Sequence, residues 1–491
     1  MSKKKPELQE DNRIDNWSYL WMAIFMALGY LIFSVLHHFF GNVVTQCAGG
    51  VVIVTLVVLL IYSSFKKTIN ERRIIYVVLV ISIVLRVCYV LTTAQKTYTG
   101  AEYEIFHNVH TNLVLPEAYQ PLYYVGAGMI YNTVGLFRFT QPYAVEIIRV
   151  ITEYFGIVSS IAMYYILCEL EANDTAVYLC TALVAFNPGL IILGGAIKPD
   201  MLTVALLTLT TLFLSRWNNF TDGYNFLLMS ISFGLAVMTD NAALVYLPVI
   251  LGLIVINLVR TIQRRNAINI LTTVIQTISG LVAWFVLSFA YPLRNRSMGL
   301  STGLTDLLND LSHPQGSVNL NQRFLSFSLS ELLDVYASTT SDRNAWAYYI
   351  KTSLFGSAAS GSIPLELSVL RIFVLIGFAV AVSAALMVVC NIFTKMDAKK
   401  KVNIWTFVGL MLAIIGYYVL VNIARPAAES MDFNVIPILL IPGFSLLATG
   451  LRTMDTKKKL NFVAGLLYFV MVLVSFAFCL TTAAFDLTLL K

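Results

Sequence analysis

Runs of about twenty apolar residues recur along almost the whole chain, and that recurrence restricts the fold more than any other feature. A helix rises 1.5 Å per residue and the hydrocarbon core of a bilayer is about 30 Å thick, so about twenty apolar residues make one crossing. In lipid every backbone N–H and C=O must find a partner inside the protein, so such runs fold as helices. By that ruler the 491 residues hold about thirteen spans, at 17–40, 43–65, 74–93, 141–168, 175–195, 200–217, 225–239, 241–260, 268–291, 366–394, 404–423, 434–452 and 460–484. Composition agrees: 58% of the residues are apolar and 12% charged, where a soluble globular chain carries roughly 25% charged residues. The expectation is an all-α, polytopic integral membrane protein, and the soluble cytosolic class is excluded. Cys47, Cys88, Cys168, Cys180, Cys390 and Cys479 lie in or beside apolar segments and suggest neither a disulfide framework nor a CxxC metal motif.

Basic residues orient the spans, because cytoplasmic loops are enriched in Lys and Arg. With the N-terminus inside, six clusters fall on one face: Lys3–Lys5 with Arg13, Lys66-Lys67 with Arg72-Arg73, Arg216, Arg260 with Arg264-Arg265, Lys395 with Lys399–Lys401, and Arg452 with Lys457–Lys459. They hold most of the 33 Lys and Arg residues, and this topology leaves the C-terminus outside. Net charge is +6, and its dispersal in short clusters is a topology signal that points to no nucleic-acid partner. The chain then divides into a polar cytoplasmic tail (1–16), two additional N-terminal spans (17–73), a core (74–292) with an outer loop at 94–140, a large outer loop (293–365) and C-terminal spans (366–491). Leu122–Phe137 is apolar but short for a crossing, and as a span it would invert every later basic cluster. It is expected to lie along the membrane surface. The loop from Arg294 to about Pro364, with an amphipathic stretch near Leu325–Ala337, is too long for a passive connector.

Polar side chains concentrate in the first outer loop. Glu102, Glu104, His107 and His110 fall within nine residues between two apolar segments, which suits proton chemistry or the binding of a polar headgroup. Asp200 is the single carboxylate of its short loop, Lys198-Pro199-Asp200, on the same face; as a simple alternative it caps the helix it opens. Charges inside spans are costly and ask for a reason. Arg149 follows Glu146 by three positions, so an internal ion pair is the plain reading; Arg86 either snorkels outward or reaches an anionic phosphate. Arg371 lies where snorkelling alone accounts for it. The tyrosines of the loop, Tyr123 and Tyr124 among them, fit an interfacial aromatic belt or stacking on sugar rings. Glu104, His107 and His110 have metal-ligand spacing without a second cluster, so no metal is assigned; a divalent ion is compatible with the site but not indicated, and no other cofactor is.

The order of a span, an acidic outer loop, a Gln-Pro-Leu-Tyr-Tyr surface helix and an Arg-bearing span resembles the GT-C class of membrane glycosyltransferases, including the protein O-mannosyltransferase and aminoarabinose-transferase families. The residues that carry it are Glu102/Glu104, Gln120–Tyr124, Arg149, Asn187-Pro188, Lys198–Asp200 and Phe233–Ala236, from about Ile74 to Val259, with looser similarity at Asp432–Pro437. The sequence departs from the pattern with Glu for the usual first-loop Asp, one Pro121 for a proline pair, and Asp240 where Lys is common. The resemblance implies an inverting transfer of one sugar from a polyprenyl-phosphate donor to an acceptor outside the cytoplasmic membrane, with Glu102 or Glu104 as base or orienter. Asp200 joins them as a second carboxylate. Arg86, Arg149, Lys198, Arg294, Arg296 and Arg425 are the cations available to the donor phosphate, and His107, His110, Gln120, Tyr123 and Tyr124 are assigned to acceptor and sugar. A surface glycan, wall polymer, lipid or protein would be the acceptor, membrane lipids the surroundings, and a bacterial cytoplasmic membrane the location. The rival readings are a transporter or flippase of lipid-linked sugars, a ligase or polymerase of lipid-linked glycans, and an inactive scaffold. Against transport, no internal repeat is visible and the polar groups gather at one rim.

Overall fold

The computed structural model describes residues 71–93, 121–138, 143–170, 174–220, 223–263, 321–334, 344–355 and 398–424, with isolated positions elsewhere. Every regular element among them is helical. In chain order they are α1 (Glu71–Thr92), α2 (Pro121–Gly135), α3 (Ala144–Glu169), α4 (Asp174–Ala185), α5 (Pro188–Gly194), α6 (Asp200–Phe220), α7 (Gly223–Thr239), a 3-10 turn (Asn241–Tyr246), α8 (Leu247–Gln263), a π turn (Asn321–Leu325), α9 (Leu329–Leu333), α10 (Ala345–Phe355) and α11 (Ala398–Ala424). Among the described residues three stretches are long and apolar enough to cross a bilayer: α3, Ala242–Val259 and Val402–Ala424. The expected spans at 43–65, 434–452 and 460–484 lie outside the described residues, as do most of 17–40, 268–291 and 366–394.

α3 is the helix the others pack around: α1, α4, α5 and α6 all lie against it, and α6 pairs with α7. Ile157, Ile161, Met163, Ile166 and Leu167 are buried in one core with Val78, Leu79 and Leu85 of α1 and Val177, Leu183 and Val184 of α4. Lipid tails are as apolar as these side chains, so close packing decides association in a membrane, and small residues permit it. Gly156, Ser159 and Ser160 supply that on α3; the serine hydroxyls donate to the carbonyls of Phe155 and Gly156 at 3.0 and 2.9 Å, which satisfies them where they are buried.

A single span was expected over 175–195, and the structure breaks it in two. Pro188 lacks the N–H that would bond the carbonyl four residues back, and its ring would meet that carbonyl. The helix stops at Ala185, and Asn187 restarts it by accepting the Leu190 N–H on its side chain at 3.0 Å. Ser82 of α1 donates to the Ala185 carbonyl at 2.9 Å, filling the bond that α4 no longer makes within itself. At the next junction Pro199 supplies the carbonyl that accepts the Thr203 N–H at 3.0 Å, and Asp200 is the first helical residue rather than the cap. Asp240 caps the 3-10 turn through the Ala242 N–H at 2.9 Å.

The two ends of the bundle carry different chemistry. At one, Arg216 meets Glu169 at 3.0 Å and Asn219 reaches the other Glu169 oxygen at 3.3 Å. Asn403 donates to Asn219 at 2.9 Å and Asn218 to Thr406 at 3.3 Å. These bonds join α3, α6 and α11 beside the basic residues Arg216 and Lys399–Lys401. At the opposite end of α11, Arg323 donates to Asn422 at 2.7 Å, Tyr418 to the Ala345 carbonyl at 2.9 Å and the Trp346 indole to the Phe324 carbonyl at 3.1 Å. Residues 321–334 and 344–355, parts of the expected large outer loop, are therefore packed on this end of α11. Of the amphipathic stretch expected near Leu325–Ala337, residues up to Asp334 are described: the π turn and α9 bury Leu332, and Glu331 accepts the Asn344 N–H at 2.6 Å. Arg371 donates to the Leu333 carbonyl at 3.3 Å.

Candidate active site

Positions 146, 149, 152, 153, 156 and 160 of α3 recur at helical spacing and share one face. In this sequence they are Glu146, Arg149, Thr152, Glu153, Gly156 and Ser160, a polar and small stripe on an otherwise apolar helix. Arg149, 3% exposed, bridges the ends of two other helices. Its Nε donates to the Gly195 carbonyl at 2.5 Å, its Nη1 to the Val90 carbonyl at 3.2 Å and its Nη2 to the Thr93 hydroxyl at 2.5 Å. Gly195 is the C-cap of α5, and Val90 and Thr93 close α1. The last carbonyls of a helix lack intrahelical partners and carry a partial negative charge, so two such ends together hold a guanidinium inside the bundle. The Arg149 charge also acts on the Glu146 carboxylate of the plain reading, whose Oε2 has no hydrogen-bond partner among the described residues.

Above Arg149 the surface helix docks. Tyr123 and Tyr124, expected in an exposed belt or on sugar rings, are both buried, with Ala127, Ile148 and Ile197 around them. The Tyr123 hydroxyl lies 2.9 Å from the Thr152 hydroxyl, which itself donates to the Ile148 carbonyl at 3.0 Å. Thr152 has one proton, so Tyr123 is the donor between them. The Tyr123 oxygen also takes a backbone hydrogen bond at Lys198 and feels the charges of Asp200 and Arg149. Burial pushes this phenol well above its ordinary value, so it stays a neutral hydrogen-bonding group. Asp200 is 7% exposed and Lys198 half-buried. Three separate sequence features, the Gln-Pro-Leu-Tyr-Tyr helix, the Arg-bearing span and the Lys-Pro-Asp loop, thus meet at Tyr123.

Arg86 does not reach the rim. It is fully buried, its Nη1 donates to Glu153 Oε2, and its Nε lies 3.4 Å from the Ser82 hydroxyl. Glu153 is a site residue that the sequence reading does not single out; its place four residues after Arg149, on the polar stripe, is the signal that marks it. Glu102, Glu104, His107, His110, Gln120, Arg294, Arg296 and Arg425 lie outside the described residues. Among the described residues no three His, Cys, Asp or Glu side chains gather as a metal site.

The helices thus bring a buried arginine, a carboxylate and a lysine-bearing loop to one end of the bundle. Residues 101–300 match the family model of the dolichyl-phosphate-mannose-protein mannosyltransferases, a GT-C glycosyltransferase family. That stretch begins beside Glu102 and takes in Tyr123, Arg149, Glu153, Asp200, Arg294 and Arg296. No curated protein matches the chain.

Proposed function

We propose that this chain transfers one sugar, with inversion, from a polyprenyl-phosphate donor to an acceptor hydroxyl at the outer membrane face. The observation that carries the reading is the meeting of Tyr123, Arg149 and the Lys198–Asp200 loop within the region that matches the mannosyltransferase family. Glu102 and Glu104 precede the docked helix by fewer than twenty residues in the sequence, which supports assigning them to the same site.

In the proposed reaction the acceptor oxygen attacks the anomeric carbon opposite the phosphate. The carbon–oxygen bond to the phosphate breaks, and the hydroxyl proton passes to Glu102 or Glu104. A lipid phosphate leaves readily, so that side needs charge stabilisation more than acid catalysis. Lys198, Arg294, Arg296 and Arg425 are the cations proposed to provide it, with Arg149 holding the loop that carries Lys198. Asp200 orients the acceptor, together with His107, His110 and Gln120. The apolar cavity of about 580 Å³ lined by Phe324, Leu325, Trp346, Val419 and Ile423 suits a hydrocarbon chain, and we assign it to the prenyl tail. No metal or other cofactor enters this scheme. A cell-surface glycan, wall polymer, lipid or protein serves as acceptor, at a bacterial cytoplasmic membrane.

The test uses membranes containing the full-length chain, polyprenyl-phosphate mannose as the first donor, and the variants Glu102→Gln, Glu104→Gln and Asp200→Asn. One of the two Glu variants is expected to lower transfer a hundredfold or more, as loss of a general base does, and Asp200→Asn to lower it less. Full transfer by both Glu variants, with loss of movement of the lipid-linked sugar across the membrane, would favour a flippase.

A further inference from the structure

The Arg86–Glu153 pair has no part in the scheme above, and its surroundings are unusually constrained. Both side chains are 0% exposed. From Glu153 the contacts run through the Arg86 guanidinium to the Ser82 hydroxyl, and from Ser82 to the Ala185 carbonyl at the broken end of α4. The other side of the pair is moulded by glycines. A Cβ on Gly156 would overlap the Arg86 guanidinium, one on Gly194 would overlap the Glu153 carboxylate, and one on Gly195 would overlap the Tyr89 ring. Gly194 ends α5, and Gly195 offers Arg149 its carbonyl. Glu153 also lies within electrostatic reach of Arg149.

The pair is poorly suited to a purely stabilising role. Among the described residues Arg86 Nη2 and Glu153 Oε1 are buried without hydrogen-bond partners, and a buried ion pair replaced by apolar side chains of similar volume often costs nothing in stability. What it does fix is geometry. The carboxylate is the surface against which Gly194 closes, and two residues later the chain enters the loop that carries Lys198 and Asp200.

We infer that Glu153, held by Arg86, is a positioning residue for the transfer reaction: it sets where α5 ends and thereby where the Lys198–Asp200 loop stands under Tyr123. This inference rests on the glycosyltransferase reading for its kinetic consequence but not for its structural one.

The experiment separates position from stability. Thermal unfolding in detergent is followed with a thiol-reactive fluorophore, which reports exposure of the buried cysteines Cys88 and Cys180. Loop position is followed by the labelling rate of Lys198→Cys with a membrane-impermeant maleimide, read by peptide mass. Transfer from polyprenyl-phosphate mannose gives kcat and KM. Glu153→Leu alone leaves Arg86 uncompensated and is expected to unfold at lower temperature. The double variant Arg86→Met/Glu153→Leu is expected to recover most of that loss, while kcat stays at least tenfold down with little change in KM and the labelling rate differs from the parent. Gly194→Ala keeps both charges, displaces the carboxylate and should reproduce the kinetic and labelling changes if the double variant does not fold. Parental labelling and kcat in the double variant, or in Gly194→Ala, would overturn the inference. If the parent transfers no sugar, the glycosyltransferase reading falls, and the labelling rates still decide whether the pair positions the loop.

Discussion

Arg149 shows how one buried side chain can tie the ends of two other helices together. Its three bonds go to a carbonyl at the end of α5, a carbonyl near the end of α1 and a threonine hydroxyl. Lysine carries the same charge as a compact ammonium without the planar fork, and it cannot span acceptors on two helices. Arg149→Lys is therefore expected to lower the unfolding temperature by several degrees and to cut sugar transfer at least tenfold; parental values in both would remove the bridge from the account. Tyr123 and Thr152 form a second joint. Each single loss, Tyr123→Phe or Thr152→Ala, is expected to cost about 1 kcal/mol, the net worth of a neutral hydrogen bond. In a double-mutant cycle the two should couple, and strictly additive losses would show that the 2.9 Å contact contributes nothing. Arg149 and Asp200 stood out in the sequence as charges inside or beside spans. The burial of Tyr123 did not, because a tyrosine after Gln-Pro at a membrane rim fits an exposed belt equally well until its packing partners, Ile148 and Ile197, are known to be near.

Among the elements, the interrupted helix before the Lys-Pro-Asp loop matters most. Hydropathy reads 175–195 as one span because both halves are apolar, and a sliding count is blind to a missing N–H. The break was nevertheless written in Asn187-Pro188, an N-cap followed by a residue suited to the first helical turn. Asn187→Ala removes the bond to the Leu190 N–H and is expected to destabilise the protein by about 1 kcal/mol, read as a lower unfolding temperature. A disrupted α5 start would also loosen the Gly195 carbonyl that Arg149 holds, so transfer should fall more than stability does; an unaffected kcat would separate the two ends of α5. That Pro121–Gly135 forms a short helix of its own was legible from the length of its apolar run. Its seat on α3 and the 196–200 segment required the tertiary structure, since no pattern in Leu122–Phe137 names its partner.

At the scale of the whole molecule, charge distribution and hydrogen-bonded ends must agree on which side of the membrane each site lies. Cytoplasmic enrichment of Lys and Arg assigns Arg216 and Lys399–Lys401 to the inner face, and the Glu169–Arg216–Asn219–Asn403 network lies with them. α11 has 27 residues, about 40 Å of helix at 1.5 Å per residue, enough to carry the chain from that network to the far rim. There Tyr418 and Asn422 receive the 321–355 segment, and α10 of that segment reaches α5, beside the candidate site. Site and packed segment therefore share one end of the bundle, and the proposed reaction requires donor and acceptor to approach from it. Single cysteines at Ser330 and at Lys400, in a background cleared of native cysteines, test this. In intact cells a membrane-impermeant maleimide is expected to label Ser330→Cys at once and Lys400→Cys only after permeabilisation. The reversed pattern would place the site on the cytoplasmic side, where a sugar donor on the outer leaflet does not reach Asp200 and the proposed reaction has no substrate.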